Sequence, residues 1–237
     1  MNYLAKVFQP YYKELANKIE EKDFVIDKTG CKIVEILAPR IEIDLSKVDE
    51  EFVDFNSRKS PRQYCELEKY WYGTESLNIK DVNSVTTWNN ICDDNNQINS
   101  NYGYLVYSKG NFSQFTHCLN KLIEDKDTRQ AIIIYTRPSI QVEWNDLGCC
   151  DFICTNFQHF FIRNGKLHCI TSMRSNDSIF GTFNDIPWFI TVYNNMYDKL
   201  IKTYPNLEKG NFIFIPNSFH AYEKHFDKIK EIAEETL

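Results

Sequence analysis

The stretch DFICTNFQHFFIRNGKLHCITSMRS, residues 151–175, decides the fold prediction because it joins two strand-like runs through Asn164-Gly165. Asn-Gly between two such runs is the strongest short signal for a β-hairpin with a type I′ turn. Counting outward from this turn sets Cys154 directly opposite Ser175, with roughly 5 Å between their β-carbons. The hairpin is therefore expected to bring a cysteine beside the polar residues that follow its second strand.

Those polar residues form the run SMRSNDSIFGTFND, residues 172–185, which carries more specific polar groups than a strand end needs. Arg174 and Ser175 offer a forked donor and a hydroxyl, which suit a phosphate, although a surface salt bridge is the alternative. Positive charge beside Cys154 favours the thiolate, the nucleophilic form, whereas an ordinary buried cysteine is inert. Asp185 closes the run and is either a ligand-reading residue or the N-cap of the next helix.

The remaining chain mixes helical and strand patterns without regular βαβ alternation, which favours an α+β fold. Residues 11–22 and the segments SPRQYCELEKYWY, NFSQFTHCLNKLIED, DIPWFITVYNNMYDKLIKTY and YEKHFDKIKEIAEE read as helices. CKIVEILAPRIEIDL, broken at its proline, and the segments RQAIIIYTR and NFIFIP read as strands. Since no linker or repeat divides the chain, we expect a single domain over residues 1–237.

Composition narrows the class of protein. The chain has 237 residues, 43% of them hydrophobic, and a formal net charge of -6, which argues against a dedicated nucleic-acid binder. No apolar run reaches the roughly 18 residues of a membrane span, and no signal peptide is visible, so a cytoplasmic location is expected, in the host if the protein is viral. The eight cysteines are scattered without a CxxC pair, so no metal site is expected.

Seven motifs along the chain carry a family resemblance. They are KDFVIDKTG (22–30), CELE (65–68), INSNYG (98–103), IIIYTRPS (132–139), DFICTN (151–156), MRSND (173–177) and HAYEKHF (220–226). In this order and spacing the chain resembles the thymidylate synthase superfamily, and within it the phage-type deoxycytidylate 5-hydroxymethylases. The resemblance implies the thymidylate synthase fold, a mixed β-sheet flanked by helices, and a homodimer. It also implies 5,10-methylenetetrahydrofolate as co-substrate, with no metal.

The resemblance assigns catalytic roles to three residues. Cys154 would add to C6 of a pyrimidine so that C5 can take the one-carbon unit, after which water completes a hydroxymethyl group. Glu66 would order water and move protons, although an exposed helix charge is the alternative. Tyr102 would belong to the proton-transfer network, although a core tyrosine is the alternative. The implied reaction converts dCMP, the folate and water into 5-hydroxymethyl-dCMP and tetrahydrofolate.

The resemblance also implies binding roles. The phosphate would be held by Lys28, Arg174, Ser175 and the partner chain's copy of Arg129. The position after Arg129 is usually a second arginine but is Gln130 here, which puts part of this clamp in doubt and leaves Arg137 as a substitute. The sugar 3′-hydroxyl would contact His220 and Tyr222. The folate pterin would contact Asp177 and Gly181, with Trp88 packing on the aromatic part unless it is a core tryptophan.

Asp185 departs from the thymidylate synthase pattern in an informative way. Those enzymes carry an asparagine eleven residues after the arginine, where it reads uracil by accepting from N3–H and donating to O4. An ionised aspartate only accepts, so it would repel O4 but accept from the 4-amino group of cytosine. A proton shared between Asp185 and N3 would complete the pair. The residue therefore predicts a cytosine substrate.

Three alternatives are left open by the sequence. The enzyme could act on the ribonucleotide CMP, or it could be a dCMP C5-methylase that keeps the hydride step and releases dihydrofolate. A non-enzymatic RNA-binding homologue is the third, against which the retention of Cys154, Glu66, Arg174 and Asp185 speaks.

Overall fold

The structure is a computed structural model that describes residues 2–82 and 86–236. Its helices are α1 (Tyr3–Glu20), α2 (Arg62–Thr74), α3 (Thr86–Asn89), α4 (Tyr102–Tyr107), α5 (Gln114–Glu124), α6 (Ile140–Glu143), α7 (Gly181–Leu200) and α8 (Phe226–Glu234). Its strands are β1 (Val25–Ile26), β2 (Lys32–Leu37), β3 (Ile41–Asp44), β4 (Ile132–Ile134), β5 (Thr155–Arg163), β6 (Lys166–Met173), β7 (Asn176–Asp177), β8 (Glu208–Pro216) and β9 (Ser218–Tyr222). The predicted α+β class with mixed sheets and flanking helices is confirmed.

The strands form two sheets. The larger has the order β3-β8-β6-β5-β4, and β8 runs parallel to β6 because α7 provides the crossover between them. The smaller has the order β1-β2-β9-β7. The chain passes from one sheet to the other near Pro39, which lacks an N–H for a ladder. The neighbouring Ala38 has φ 49° and donates its N–H to Asn217 O at 3.0 Å, where β8 also gives way to β9.

The β5–β6 hairpin confirms the predicted turn but corrects the predicted register. Asn164 and Gly165 have φ of 52° and 73°, as a type I′ turn requires. A β-bulge lies between Thr155 and Phe157, so that the pairing slips by one residue before it reaches the cysteine. Arg174 N consequently donates to Cys154 O at 2.8 Å. The residue opposite the cysteine is therefore Arg174, and the prediction of Ser175 is wrong.

Two helices place site residues. Helix α2 buries Cys65, Glu68, Trp71 and Tyr72 on one face, with the three-to-four-residue spacing of a helix turned toward the core. Helix α7 begins at Gly181, so Asp185 lies inside the helix and makes no N-cap. The N-cap alternative for Asp185 is therefore excluded.

The buried apolar side chains form a core between the sheets and the helices, with aromatic rings at its centre, among them Tyr12, Phe160, Phe189 and Phe214. In the part of the chain that the structure describes, no helix is both long enough and apolar enough to cross a membrane. The ends of β6 and β7 and the start of α7 meet at one edge of this core. The single-domain assignment over residues 1–237 stays a prediction.

Candidate active site

Cys154 lies immediately before β5, and its thiol is hydrogen-bonded to Arg174, which follows β6. Arg174 Nη2 donates to Cys154 Sγ at 3.3 Å and to Phe152 O at 2.7 Å, while Nε donates to Ile153 O at 3.1 Å. The guanidinium also lies 4.8 Å from the centre of the Phe152 ring. One arginine thus fixes both the backbone of the cysteine segment and the thiol.

The electrostatics of this thiol differ from the expectation of an activated thiolate. Burial raises the pKa of Cys154 to about 11, and this effect outweighs the lowering by the Arg174 guanidinium. The charges of Asp185 and Asp151 raise the pKa further, while Lys28 lowers it. Without a ligand, Cys154 is therefore a neutral thiol that Arg174 partly prepares for ionisation.

A cleft of about 310 Å³ opens beside the thiol and is lined by Lys28, Trp144, Phe152 and Arg174. Its two cations come from the β1–β2 turn and from the end of β6. Lys28 Nζ lies 5.6 Å from the centre of the Trp144 ring. The cleft therefore combines positive charge with aromatic walls, as a phosphorylated ligand requires.

Ser175, His220 and Tyr222 lie together on the smaller sheet's side of the cleft. Ser175 Oγ is 3.5 Å from His220 Nδ1, and the His220 and Tyr222 ring centres are 5.2 Å apart. His220 is buried, at 7% exposed, while burial and the nearby Asp27 raise the pKa of Tyr222. These three predicted binding residues are thus brought together.

The residues around the predicted partner arginine lie away from this group. Arg129 is exposed in the turn before β4, and no contact among the described residues joins its side chain to Cys154. Gln130 is also exposed. Arg137 binds Glu143 at 2.5 Å and donates to Asn99 Oδ1 at 2.9 Å. Because Arg137 is occupied, its suggested role as a substitute for the missing arginine finds no support.

Asp185 projects from the first turns of α7 toward the same edge. Its Oδ2 accepts a hydrogen bond from Asn176 Nδ2 at 2.9 Å. Burial raises the pKa of Asp185 well above its ordinary value, and the neighbouring Glu68 raises it further. The charge of Asp185 also raises the pKa of Cys154, so the carboxyl and the thiol interact electrostatically.

The predicted catalytic role of Glu66 stays a prediction. The side chain of Glu66 is 63% exposed and forms an ion pair with Lys69 at 3.0 Å on the outer face of α2. Glu68, two residues further along the helix, is 7% exposed and accepts a hydrogen bond from Tyr64 Oη at 2.5 Å. Burial raises the pKa of Glu68 to about 7. Of the two glutamates in the CELE motif, Glu68 is therefore the buried one.

The helical spacing could have found Glu68 from the sequence. Cys65, Glu68 and Trp71 follow one another at intervals of three residues, whereas Glu66 lies outside that series. A glutamate on the apolar face of an amphipathic helix is the stronger candidate for a buried role.

Tyr102 lies beside the thiol in the core. Its phenol oxygen accepts a hydrogen bond from Thr155 Oγ1 at 2.8 Å, and Thr155 directly follows Cys154. Burial raises the pKa of Tyr102 well above its ordinary value, helped by the charges of Asp185 and Cys154. Tyr102 is thus both a core residue and a neighbour of the site.

The predicted folate residues are distributed over two places. Asp177 Oδ1 accepts from Ile179 N at 2.8 Å and from Phe180 N at 3.0 Å, which stabilises the turn into α7. Gly181 faces Asn176, where an added Cβ would lie 2.8 Å from Nδ2. Trp88 is half-buried against Trp71, with ring centres 5.1 Å apart. The folate contacts of Asp177, Gly181 and Trp88 stay predictions.

Potential metal ligands are dispersed in the described part of the chain. Among residues 2–82 and 86–236, no three or more histidine, cysteine, aspartate or glutamate side chains cluster closely enough to hold a metal ion.

Comparison with known proteins identifies the family. The family model described as thymidylate synthase matches residues 9–236. The deoxycytidylate 5-hydroxymethyltransferase of Enterobacteria phage T6 is 37% identical over 212 residues, which cover 88% of this chain and 83% of that protein. Its counterpart from Enterobacteria phage T4 is 36% identical with the same coverage.

A solved structure, thermostable thymidylate synthase A from Bacillus subtilis, matches 97% of this chain and 84% of its own with a TM-score of 0.70 at 20% identity. These matches confirm the fold and the family resemblance seen in the sequence motifs. The chain belongs to the thymidylate synthase family.

Proposed function

We propose that this protein is a folate-dependent deoxycytidylate 5-hydroxymethyltransferase that converts dCMP into 5-hydroxymethyl-dCMP. The observation that carries the proposal is a partly buried aspartate, Asp185, whose charge acts on a thiol that is held by Arg174 at the wall of a cationic cleft. An acidic side chain is complementary to the amino edge of cytosine. The names of the two phage relatives agree with this assignment.

The cationic cleft holds the 5′-phosphate. Lys28 and Arg174 supply positive charge at its walls, and Ser175 adds a hydroxyl. His220 and Tyr222 lie next to Ser175, at a distance that suits the 3′-hydroxyl of the sugar. Arg129 is exposed and so is available to a second copy of the chain, which supports a homodimer with a shared phosphate site.

Cys154 is the nucleophile. Its Sγ adds to C6 of the cytosine ring, so that C5 becomes nucleophilic and takes up the one-carbon unit. Arg174, at 3.3 Å from Sγ, stabilises the thiolate as it forms and again when it leaves. A proton held between Asp185 and N3 of the ring draws electron density from C6 and lowers the cost of the addition.

Glu68 is a second candidate for the proton-transfer role that the resemblance assigns to Glu66. Because its pKa is about 7, it can both accept and release a proton near neutral pH. In this mechanism loss of the C5 proton and departure of tetrahydrofolate leave an exocyclic methylene group, and Glu68 orders the water that adds to it. The added water supplies the hydroxyl of the product, and departure of Sγ restores the ring.

The chain's residues fit the folate co-substrate. Asp177 uses only Oδ1 for the backbone, and Oδ2 accepts no hydrogen bond from the described residues, which leaves it available to the amino groups of a pterin. Trp88 Nε1 is buried without a partner among the described residues. Bound 5,10-methylenetetrahydrofolate would supply a one-carbon unit at the oxidation level of formaldehyde.

The test is a product analysis with purified protein, 5,10-methylenetetrahydrofolate, and dCMP, CMP or dUMP in parallel reactions. A dCMP product heavier by one CH₂O unit is expected, with dUMP unchanged. A product heavier by CH₂ would instead identify a methylase, and turnover of dUMP alone would overturn the role of Asp185.

Two cysteine variants complete this test. Cys154→Ala is expected to abolish product formation, whereas Cys150→Ala, which removes an exposed thiol four residues away, is expected to retain it. A protein unaffected by Cys154→Ala would contradict the covalent mechanism.

A further inference from the structure

Three side chains form a buried hydrogen-bonded line behind the base-reading carboxyl. Thr182 Oγ1 donates to Asn176 Oδ1 at 2.6 Å, and Asn176 Nδ2 donates to Asp185 Oδ2 at 2.9 Å. Asn176 is 2% exposed and Thr182 is fully buried. The line therefore ends on one particular oxygen of Asp185.

In the structure the amide of Asn176 has its oxygen toward Thr182 and its nitrogen toward Asp185. A hydroxyl that donates to the amide oxygen of Asn176 leaves the amide nitrogen to face Asp185. The same nitrogen lies 3.6 Å from Met173 Sδ, a weak acceptor, which agrees with this orientation. A Cβ at Gly181 would lie 2.8 Å from Asn176 Nδ2 and 3.1 Å from Asp185 Oδ2, so glycine allows the close approach.

These hydrogen bonds bear on substrate specificity, because a neutral carboxyl at Asp185 could bind uracil as well as cytosine. Burial and Glu68 raise the pKa of Asp185, so the neutral acid is accessible. A neutral carboxylic acid has one donor and one acceptor, as an amide does. With the proton on the oxygen that faces O4, it could accept from N3–H and bind uracil. A carboxyl group by itself therefore does not exclude uracil.

Resting on the proposed function, we propose that Asn176 and Thr182 are positioning residues that set cytosine specificity by keeping Oδ2 of Asp185 free of a proton. A protonated oxygen is a poor acceptor, so the hydrogen bond from Asn176 Nδ2 directs the proton to Oδ1. Oδ1 makes no hydrogen bond to the described residues, which leaves it available to N3 of the ring. Oδ2 then has a second lone pair for the 4-amino group.

This arrangement accepts cytosine in either protonation state. The proton can reside on Oδ1 or on N3, since both states give the same two hydrogen bonds. Uracil requires the opposite arrangement, with an acceptor at N3 and a donor at O4. Binding uracil would place a proton on Oδ2 at the expense of the hydrogen bond from Asn176, which leaves a buried donor poorly paired.

The first experiment uses Asn176→Leu, which keeps the approximate side-chain volume but removes the donor. The ratio of kcat/KM for dCMP to that for dUMP is compared with wild type, together with the ratio of the two dissociation constants measured by calorimetry. Both ratios are expected to fall at least about tenfold. A ratio that is unchanged or that rises would overturn the proposal.

The second experiment keeps the proposal testable if Asn176→Leu does not fold. Thr182→Val removes the hydroxyl that orients the amide, and Thr182→Ser retains it in a matched variant. The dCMP to dUMP ratio is expected to fall by about threefold to tenfold in the valine variant and to return close to wild type in the serine variant. Equal ratios in the two variants would contradict an orienting role.

A third variant tests the same donor without a carboxyl proton. In an Asp185→Asn background Asn176 Nδ2 would hold the new amide oxygen toward the 4-amino group, so adding Asn176→Leu is expected to lower the dCMP to dUMP ratio further. An unchanged ratio there would contradict the positioning role. Failure of wild-type protein to produce 5-hydroxymethyl-dCMP would refute the proposed function separately, because the dissociation constants still test the discrimination.

Discussion

Asp151 is buried and Asp185 is partly buried, and the hydrogen bonds of these two aspartates differ greatly. Asp151 is 5% exposed and accepts from Asn99 N at 2.8 Å, Ser100 N at 2.7 Å and Ser100 Oγ at 2.6 Å. Asp185 accepts only from Asn176 among the described residues. Burial raises the pKa of both, but hydrogen bonds oppose the shift more strongly at Asp151.

The difference separates a carboxyl that serves the fold from one that is reserved for a ligand. Asp151 ties the segment before α4 to the segment that carries Cys154, so its acceptor capacity is spent on the chain itself. Asp185 keeps an oxygen without a partner among the described residues, at a cost in stability that a bound base would offset. Incomplete pairing of a buried acid is therefore the sign of the functional one.

The largest expected effect is on substrate choice. Asp185→Asn replaces the acid by an amide that matches uracil, so the preference for dCMP over dUMP should change by about 10⁴-fold. The measurement is kcat/KM for each nucleotide in the presence of 5,10-methylenetetrahydrofolate. If the preference moved by less than about tenfold, Asp185 would not be the base-reading residue.

Glu68 extends the comparison between Asp151 and Asp185, because its buried carboxyl, like that of Asp185, accepts a single side-chain hydrogen bond. Glu68→Gln should lower kcat by about 10²–10⁴-fold, since an amide cannot exchange protons near neutral pH. Glu66→Gln is the matched control on the same helix, and its exposed position predicts a change of less than about twofold. Steady-state kinetics with dCMP measure both, and comparable losses in the two variants would return the role to Glu66.

The next effect is on stability and concerns the well-paired aspartate. Asp151→Ala leaves two backbone N–H groups and a hydroxyl without their acceptor, which should lower the free energy of unfolding by about 3 kcal/mol. Asp151→Asn should cost less than half of this, because its one carbonyl can serve both N–H groups while the Ser100 hydroxyl reverses to accept. Urea unfolding measures the difference. If Asp151→Ala lowered the free energy of unfolding no more than Asp185→Ala does, the distinction between a structural and a ligand-binding aspartate would be contradicted.

The smallest effect is the pH dependence of stability. Because the folded pKa of Asp185 is raised, its contribution to stability is fully present below the unfolded pKa and is lost as pH rises through the folded value. Asp185→Asn does not titrate, so its free energy of unfolding should match that of wild type near pH 4 and exceed it at pH 8. Thermal or urea unfolding at both pH values checks this, and a variant that is less stable at pH 8 would contradict the buried-acid account.

The sequence predicted the parts of the site that depend on local pattern. The Asn164-Gly165 turn requires positive φ at both residues, and the structure has it. The register at Cys154 was missed by one residue because a β-bulge has no comparable local signature. Glu68 was missed although helical spacing could have indicated it.

The contact of Asn176 with Asp185 could not be predicted from the sequence. It precedes the helix that carries Asp185, and only the folded arrangement of β7 against α7 brings their side chains to 2.9 Å. The same holds for the contribution of Glu68 to the pKa of Asp185, since α2 and α7 are more than a hundred residues apart in the chain. Contacts of this kind depend on tertiary packing rather than on spacing.

The grip of Arg174 on the cysteine segment constrains how this position can evolve. Nε and Nη2 are occupied by Ile153 O, Phe152 O and the thiol, while Nη1 makes no hydrogen bond to the described residues and can reach an anion. A lysine offers one ammonium centre, which cannot serve the strand, the sulfur and a phosphate from fixed directions at once. Substitution of Arg174 by lysine would keep the positive charge but lose the simultaneous hydrogen bonds to the backbone and the thiol, so selection should favour arginine over lysine at this position.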